Sequence, residues 1–211
     1  MENDNIPMTK PETRYQKYLA RKRQKQEAKQ EKKMNQPKPD EAGPLANAPI
    51  HECLIPANLF EQGIGHLVFS RSLPDGRIAL AMFLLDVFCL GIKDAFFAKM
   101  TRGEYGSHLD SLRMTQSLQP IEPACLRKLV EGGVAYARDL GFSPQSDYAE
   151  ARPIFGDVDT AACSSHFEYG HAGKPFYISG PHESATQVRA IVDQLQQRLG
   201  AGNFEYLVLA G

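Results

Sequence analysis

At 211 residues the chain has room for one domain of ordinary size and an appendage. An apolar share of 42% fits a globular protein and excludes collagen-like and wholly disordered classes. The net charge of −1 hides a split: residues 9–39 hold eleven Lys/Arg against three Glu (+8), and residues 50–211 hold thirteen Lys/Arg against eighteen Asp/Glu (−5). No apolar run reaches the ~20 residues of a membrane helix, and the N-terminus has no apolar signal-peptide core, so no membrane partner is expected. Cys53, Cys89, Cys125 and Cys163 form no CxxC pair, which reads as free thiols in the cytoplasm.

The N-terminal segment begins with a helix-start pattern, Thr9 with Glu12 three residues on and Pro11 between. Tyr15, Tyr18 and Leu19 make one small apolar patch; beyond them a helix is polar all round and has no face to bury. Pro37, Pro39, Pro44 and Pro49 mark a linker, so residues 1–49 read as a basic arm with its linker and 50–211 as a single domain.

His51–Ile55 has strand character. Two apolar runs, 64–70 and 77–90, flank Pro74-Asp75-Gly76 and predict a hairpin. The second run is apolar on both parities from Ile78, which predicts a strand covered on both faces; residues 95–100 continue as a strand or begin a helix. Helices are expected over 103–116 and 123–140, the latter with Pro123 at its start and Gly141 at its end. A short helix after Pro144 breaks before Pro153 and leads to the acidic turn Gly156–Asp159. Residues 166–181 read as a second hairpin around His171-Ala172-Gly173. An amphipathic helix follows over 184–199, and 204–210 ends the chain as a buried strand. The order predicts α+β: a mostly antiparallel sheet with helices packed on one face.

Candidate chemistry is sparse. Asp86, Lys93 and Asp94 are charged residues at the end of the most apolar run, the arrangement by which strand-end carboxylates and a lysine serve catalysis at a phosphodiester. Asp157 and Asp159 would add oxygens for a divalent ion. The plainer reading makes Asp86 an acceptor for a backbone turn and gives Lys93 an acidic partner. Cys163, His166 and His171, with His51 and Cys53, have the residue types of a zinc site but loose spacing, so no metal is assigned. Cys89, between Phe88 and Leu90, reads as a core thiol and not as a nucleophile. The Gly180-Pro181 turn before the last helix offers amides to an anion, or a simple cap at Ser184. No phosphate-binding or dinucleotide-binding glycine pattern occurs, and no cofactor is expected.

The arm carries the clearest pattern. Arg14, Tyr15, Lys17, Tyr18, Arg21, Lys22, Arg23 and Lys25 interleave positive charge with aromatic rings, as a segment does that neutralises phosphates and stacks on bases. The plainer reading is a solvated arm without a partner.

The stretches HECLIPANLFEQGIGHLVFSR, ALAMFLLDVFCLGIKDAFF, KLVEGGVAYARDLGF and FGDVD with FEYGHAGKPFYISGP resemble a group of uncharacterised bacterial proteins over about residues 50–210. The resemblance implies one compact domain and supplies no site. Three readings follow from the residues: a non-enzymatic module whose arm meets RNA, DNA or a ribonucleoprotein; a metal-dependent hydrolase or nuclease using Asp86, Asp94, Asp157 and Asp159; and a module that pairs with a protein partner in a toxin–antitoxin or defence system.

Overall fold

The computed structural model describes residues 45–181 and 183–208. Its centre is a five-stranded sheet: β1 (Ile50–Pro56), β2 (Ile64–Ser72), β3 (Ile78–Asp86), β4 (Gly91–Met100) and β5 (Leu118–Pro120), in the order β4-β3-β2-β1-β5. Every pairing in it is antiparallel. The β2–β3 hairpin forms where the turn residues predict it. Asp75 accepts from the Arg77 amide at 3.0 Å, and Gly76 takes φ +84°, a conformation that favours glycine.

β3 is apolar on both parities because both of its faces are covered. Ala79, Ala81, Phe83 and Leu85 belong to the larger core cluster, and Ile78, Leu80 and Met82 to a second one. A four-residue helix, α1 (Leu59–Gln62), joins β1 to β2, and α2 (Arg102–Arg113) follows β4. α2 starts with a capping box between Thr101 and Glu104 and sets Tyr105, Leu109 and Leu112 against the second cluster. The main helical layer lies over the larger cluster. It consists of α3 (Pro123–Asp139), α4 (Tyr148–Ala151) and the 3-10 turn Arg152–Phe155. α3 presents Leu126, Leu129, Val130 and Val134, the stripe that its 3.6-residue period predicts. The fold is α+β, as expected.

Beyond residue 175 a smaller layer is added. β6 (Phe176–Ile178) pairs in parallel with β7 (Glu205–Leu207), with α5 (Ala185–Leu199) between them. Ser184 caps α5 through a capping box with Gln187. Tyr177, Val188 and Leu195 from this layer bury with Cys89, Leu90 and Leu140.

Of the two alternatives for residues 95–100, the strand is the one that forms, as the continuation of β4. Several expectations are corrected. Residues 166–181 form no hairpin: only an isolated bridge, His171 to Lys174, closes that turn. Tyr169 donates instead to the Leu129 carbonyl at 2.8 Å, and β6 finds its partner in β7. The C-terminal strand is exposed, with Tyr206 at 53% and Leu207 at 48%, because β7 is the outer strand of a two-stranded sheet. Cys125 and Cys163 are joined in a disulfide, so only Cys53 and Cys89 are free thiols. Nothing in their spacing of 38 residues announces the bond. Core packing also reaches back into the linker, where Leu45 and Ala48 are buried.

Candidate functional site

The β3–β4 connection gathers the charges that the sequence singles out. Asp86 closes β3 at 6% exposure, and its Oδ1 accepts from the amides of Phe88 and Cys89, both at 2.9 Å. The carboxylate thereby shapes a tight turn whose exit is Gly91 at φ +65°. A Cβ at Gly91 would stand 2.8 Å from both the Gly133 carbonyl oxygen and the Ala137 Cβ, so glycine lets the turn lie against α3. Burial raises the Asp86 pKa, opposed by the amides of Cys89, Leu90 and Phe88 and by the Lys93 charge. The Cys89 thiol is fully buried, and burial above all pushes its pKa up, the opposite of an activated nucleophile.

Lys93 is the extra residue of a β-bulge, between the pairs Leu85–Ile92 and Leu84–Asp94. Its Nζ meets Glu183 Oε1 at 2.7 Å, and both side chains are 16% exposed. The other carboxylate oxygen, Oε2, accepts from the Tyr177 hydroxyl at 2.5 Å and the Gly180 amide at 2.9 Å. Burial works against the Glu183 charge, yet the bonds from Lys93, Tyr177 and Gly180 outweigh it and hold the carboxyl below its ordinary value. This constellation joins the bulge of β4, strand β6 and the entry to α5. The Gly180 amide that an anion would need is occupied by the chain's own carboxylate.

Asp94 is exposed, and its Oδ1 accepts from the adjacent Ala95 amide at 2.9 Å. His66 lies in the same row across the sheet, through Leu84. Burial lowers the His66 pKa, and the Asp94 charge opposes it. Asp157 is 4.0 Å from Arg71, and Asp159 accepts from the Ala161 amide at 2.9 Å to cap a single 3-10 turn. Asp86 and Lys93 therefore share the β3–β4 connection and feel each other's charge, while Asp94, Asp157 and Asp159 each serve a different local contact. Among the described residues no three His, Cys, Asp or Glu side chains gather as a metal-binding group. Cys163 of the loose zinc pattern is committed to its disulfide. The eight arm residues Arg14, Tyr15, Lys17, Tyr18, Arg21, Lys22, Arg23 and Lys25 lie outside the described residues.

Arg71 goes unnoticed in the sequence. Within β2 it is 3% exposed and donates to the carbonyls of Ala48, Ile154 and Phe155 at 2.5, 2.6 and 2.8 Å. Arg127 of α3 acts alike, donating to the Gly156 and Val158 carbonyls at 3.1 and 2.7 Å. These cations complete the hydrogen bonding of irregular backbone that has no ladder of its own. A charge inside an apolar strand was the available signal for Arg71. No helix among the described residues is long and apolar enough to cross a membrane. Comparison with family models, with curated proteins and with solved structures returns no match for this chain.

Proposed function

We propose that the protein is a binding module, acting from a bacterial cytoplasm, whose basic arm contacts nucleic acid or a ribonucleoprotein. The carrying observation is the charge split in the sequence, +8 over residues 9–39 against −5 over residues 50–211. The geometry of the body supports the same division of labour. Asp86 and Lys93 are engaged in a turn and a tie, so the groups best placed for chemistry hold the fold together. An acidic body is repelled by phosphate, which leaves contact with a polyanion to Arg14, Lys17, Arg21, Lys22, Arg23 and Lys25, with Tyr15 and Tyr18 stacking on bases. The free thiols Cys53 and Cys89 suit a reducing compartment, whereas the Cys125–Cys163 bond weighs the other way.

The hydrolase reading requires Asp86, Asp94, Asp157 and Asp159 around one ion, and their separate local contacts give it no support. For a protein-partner module no specific observation speaks. Binding of mixed-sequence RNA and DNA at low salt tests the proposal. The expected result is an affinity that falls with salt, with a slope of roughly −0.7 to −0.9 per phosphate contact. A full-length protein that binds neither at low salt overturns it.

A further inference from the structure

Between Gly156 and Gly170 the chain crosses the main helical layer as a strap. Its only regular piece is the 3-10 turn Thr160–Ala162, and its only buried residue is Cys163. Both ends are firmly rooted: Phe155 is 1% exposed, and the Gly170 amide donates to the Val87 carbonyl at 2.8 Å. Between those roots the strap lies against α3. Lys128 Nζ donates to the Cys163 and Ser165 carbonyls at 3.0 and 2.8 Å, and Tyr169 donates to Leu129. Phe167 stacks on Phe60 at 6.0 Å, although Phe60 remains 41% exposed. Val158, Phe167 and Tyr169 of the strap are half-buried against the core, and Tyr169 stacks on Tyr136 of α3 at 5.6 Å, but none is fully buried, and side-chain bonds to carbonyls near solvent are weak restraints. The Cys125–Cys163 bond is its one covalent attachment to α3.

We propose that this disulfide is a redox latch, whose reduction by a dithiol frees residues 157–169 from α3 while the five-stranded sheet stays folded. A dithiol thiolate attacks one sulfur, forming a mixed disulfide and releasing the other cysteine as a thiolate that takes up a proton. The second thiol of the reductant then resolves the mixed disulfide. Two electrons and two protons pass to the pair, and the reductant leaves as its own disulfide. Cys125 is 8% and Cys163 5% exposed, so attack follows local lifting of the strap. Release uncovers the α3 surface around Cys125, Lys128 and Gly132, against which Tyr169 now lies so closely that a Cβ at Gly132 would stand 2.2 Å from its hydroxyl.

Amide hydrogen exchange on the full chain, oxidised and then reduced with dithiothreitol, tests this. The expected result is exchange at least about tenfold faster over 157–169 on reduction, unchanged exchange over 78–86, and recovery on reoxidation. Unchanged exchange in the strap overturns the latch, because Arg127, Lys128 and Tyr169 would then suffice to hold it. Acceleration in strap and sheet alike also overturns it, because the bond would then be a staple of the whole fold. The C125S/C163S variant, never reduced, is expected to reproduce the fast strap and slow sheet. Because reduction of the natural chain makes the same comparison, the test does not depend on that variant folding.

Discussion

The β2–β3 hairpin and the segment from Ile154 to Glu183 are held by different physics. In the hairpin Leu67, Phe69, Phe83 and Leu85 are fully buried, and the strands satisfy each other's backbone. Much of the later segment lies outside any sheet, and its backbone bonds are completed by Arg71, Arg127 and Lys128. Its far end is fastened by Glu183 to Lys93. Apolar area stabilises without direction, whereas a side-chain cation on a carbonyl stabilises only at one geometry. Between buried anchors such as Ile154, Phe155 and Tyr177, charged groups placed at the right points position the irregular backbone.

Substitutions in the two regions should therefore differ in size and in kind. Phe83→Ala empties a site packed by Tyr148 and Phe155 and is expected to cost about 3–5 kcal/mol in denaturant unfolding. Arg71→Met keeps much of the apolar stem but takes the donor from the Ala48 and Ile154 carbonyls and leaves that of Phe155 with the Val158 amide at 3.2 Å, at an expected cost of about 3 kcal/mol. A cost under ~1 kcal/mol there would show that solvent satisfies those carbonyls and that the cation does not position the segment. Lys93→Ala leaves Glu183 charged and mostly buried. Residual exposure of the pair brings the expected cost to about 1–3 kcal/mol, below that of a fully buried pair.

The smallest effect is a crossing of two pH dependences. Asp86 has a raised folded pKa, so its contribution is full in acid and is lost as pH rises through that value. Glu183 has a depressed one, so its contribution is present above the ordinary glutamate value and is lost as pH falls through the folded value. The cost of Asp86→Asn should shrink from acid to neutral pH while the cost of Glu183→Gln grows, as read by melting temperature across that range. Parallel trends would mean that burial does not dominate at Asp86.

What the residues announce locally, the structure contains. Pro74-Asp75-Gly76 between apolar runs marks the hairpin, Pro123 starts α3, and Ser184 caps α5. Turn chemistry and periodicity act within a few residues and can be read there. The ties act at a distance. Lys93 and Glu183 are 90 residues apart, Arg71 reaches Phe155 across 84, and Cys125 meets Cys163 across 38. No spacing rule relates such residues, because their proximity is made by the fold itself. The same reason keeps residues 166–181 from forming a hairpin: they have turn chemistry, but β6 takes its partner from beyond α5. The helix α2 on the other face of the sheet was visible as a helix, and its side of the sheet was not.

The central claim is that the arm binds and the body's buried charges hold the fold. It is tested most directly by salt-dependent RNA binding of two variants side by side, one with Arg21, Lys22 and Arg23 replaced by alanine and the other Lys93→Ala. The account predicts that the arm variant loses affinity and has a shallower slope against salt, by roughly 0.7 per lost contact, while the Lys93 variant binds as the parent does and melts earlier. Binding that survives the arm substitutions but is lost in the folded Lys93 variant would contradict it, and would move the site to the β3–β4 turn.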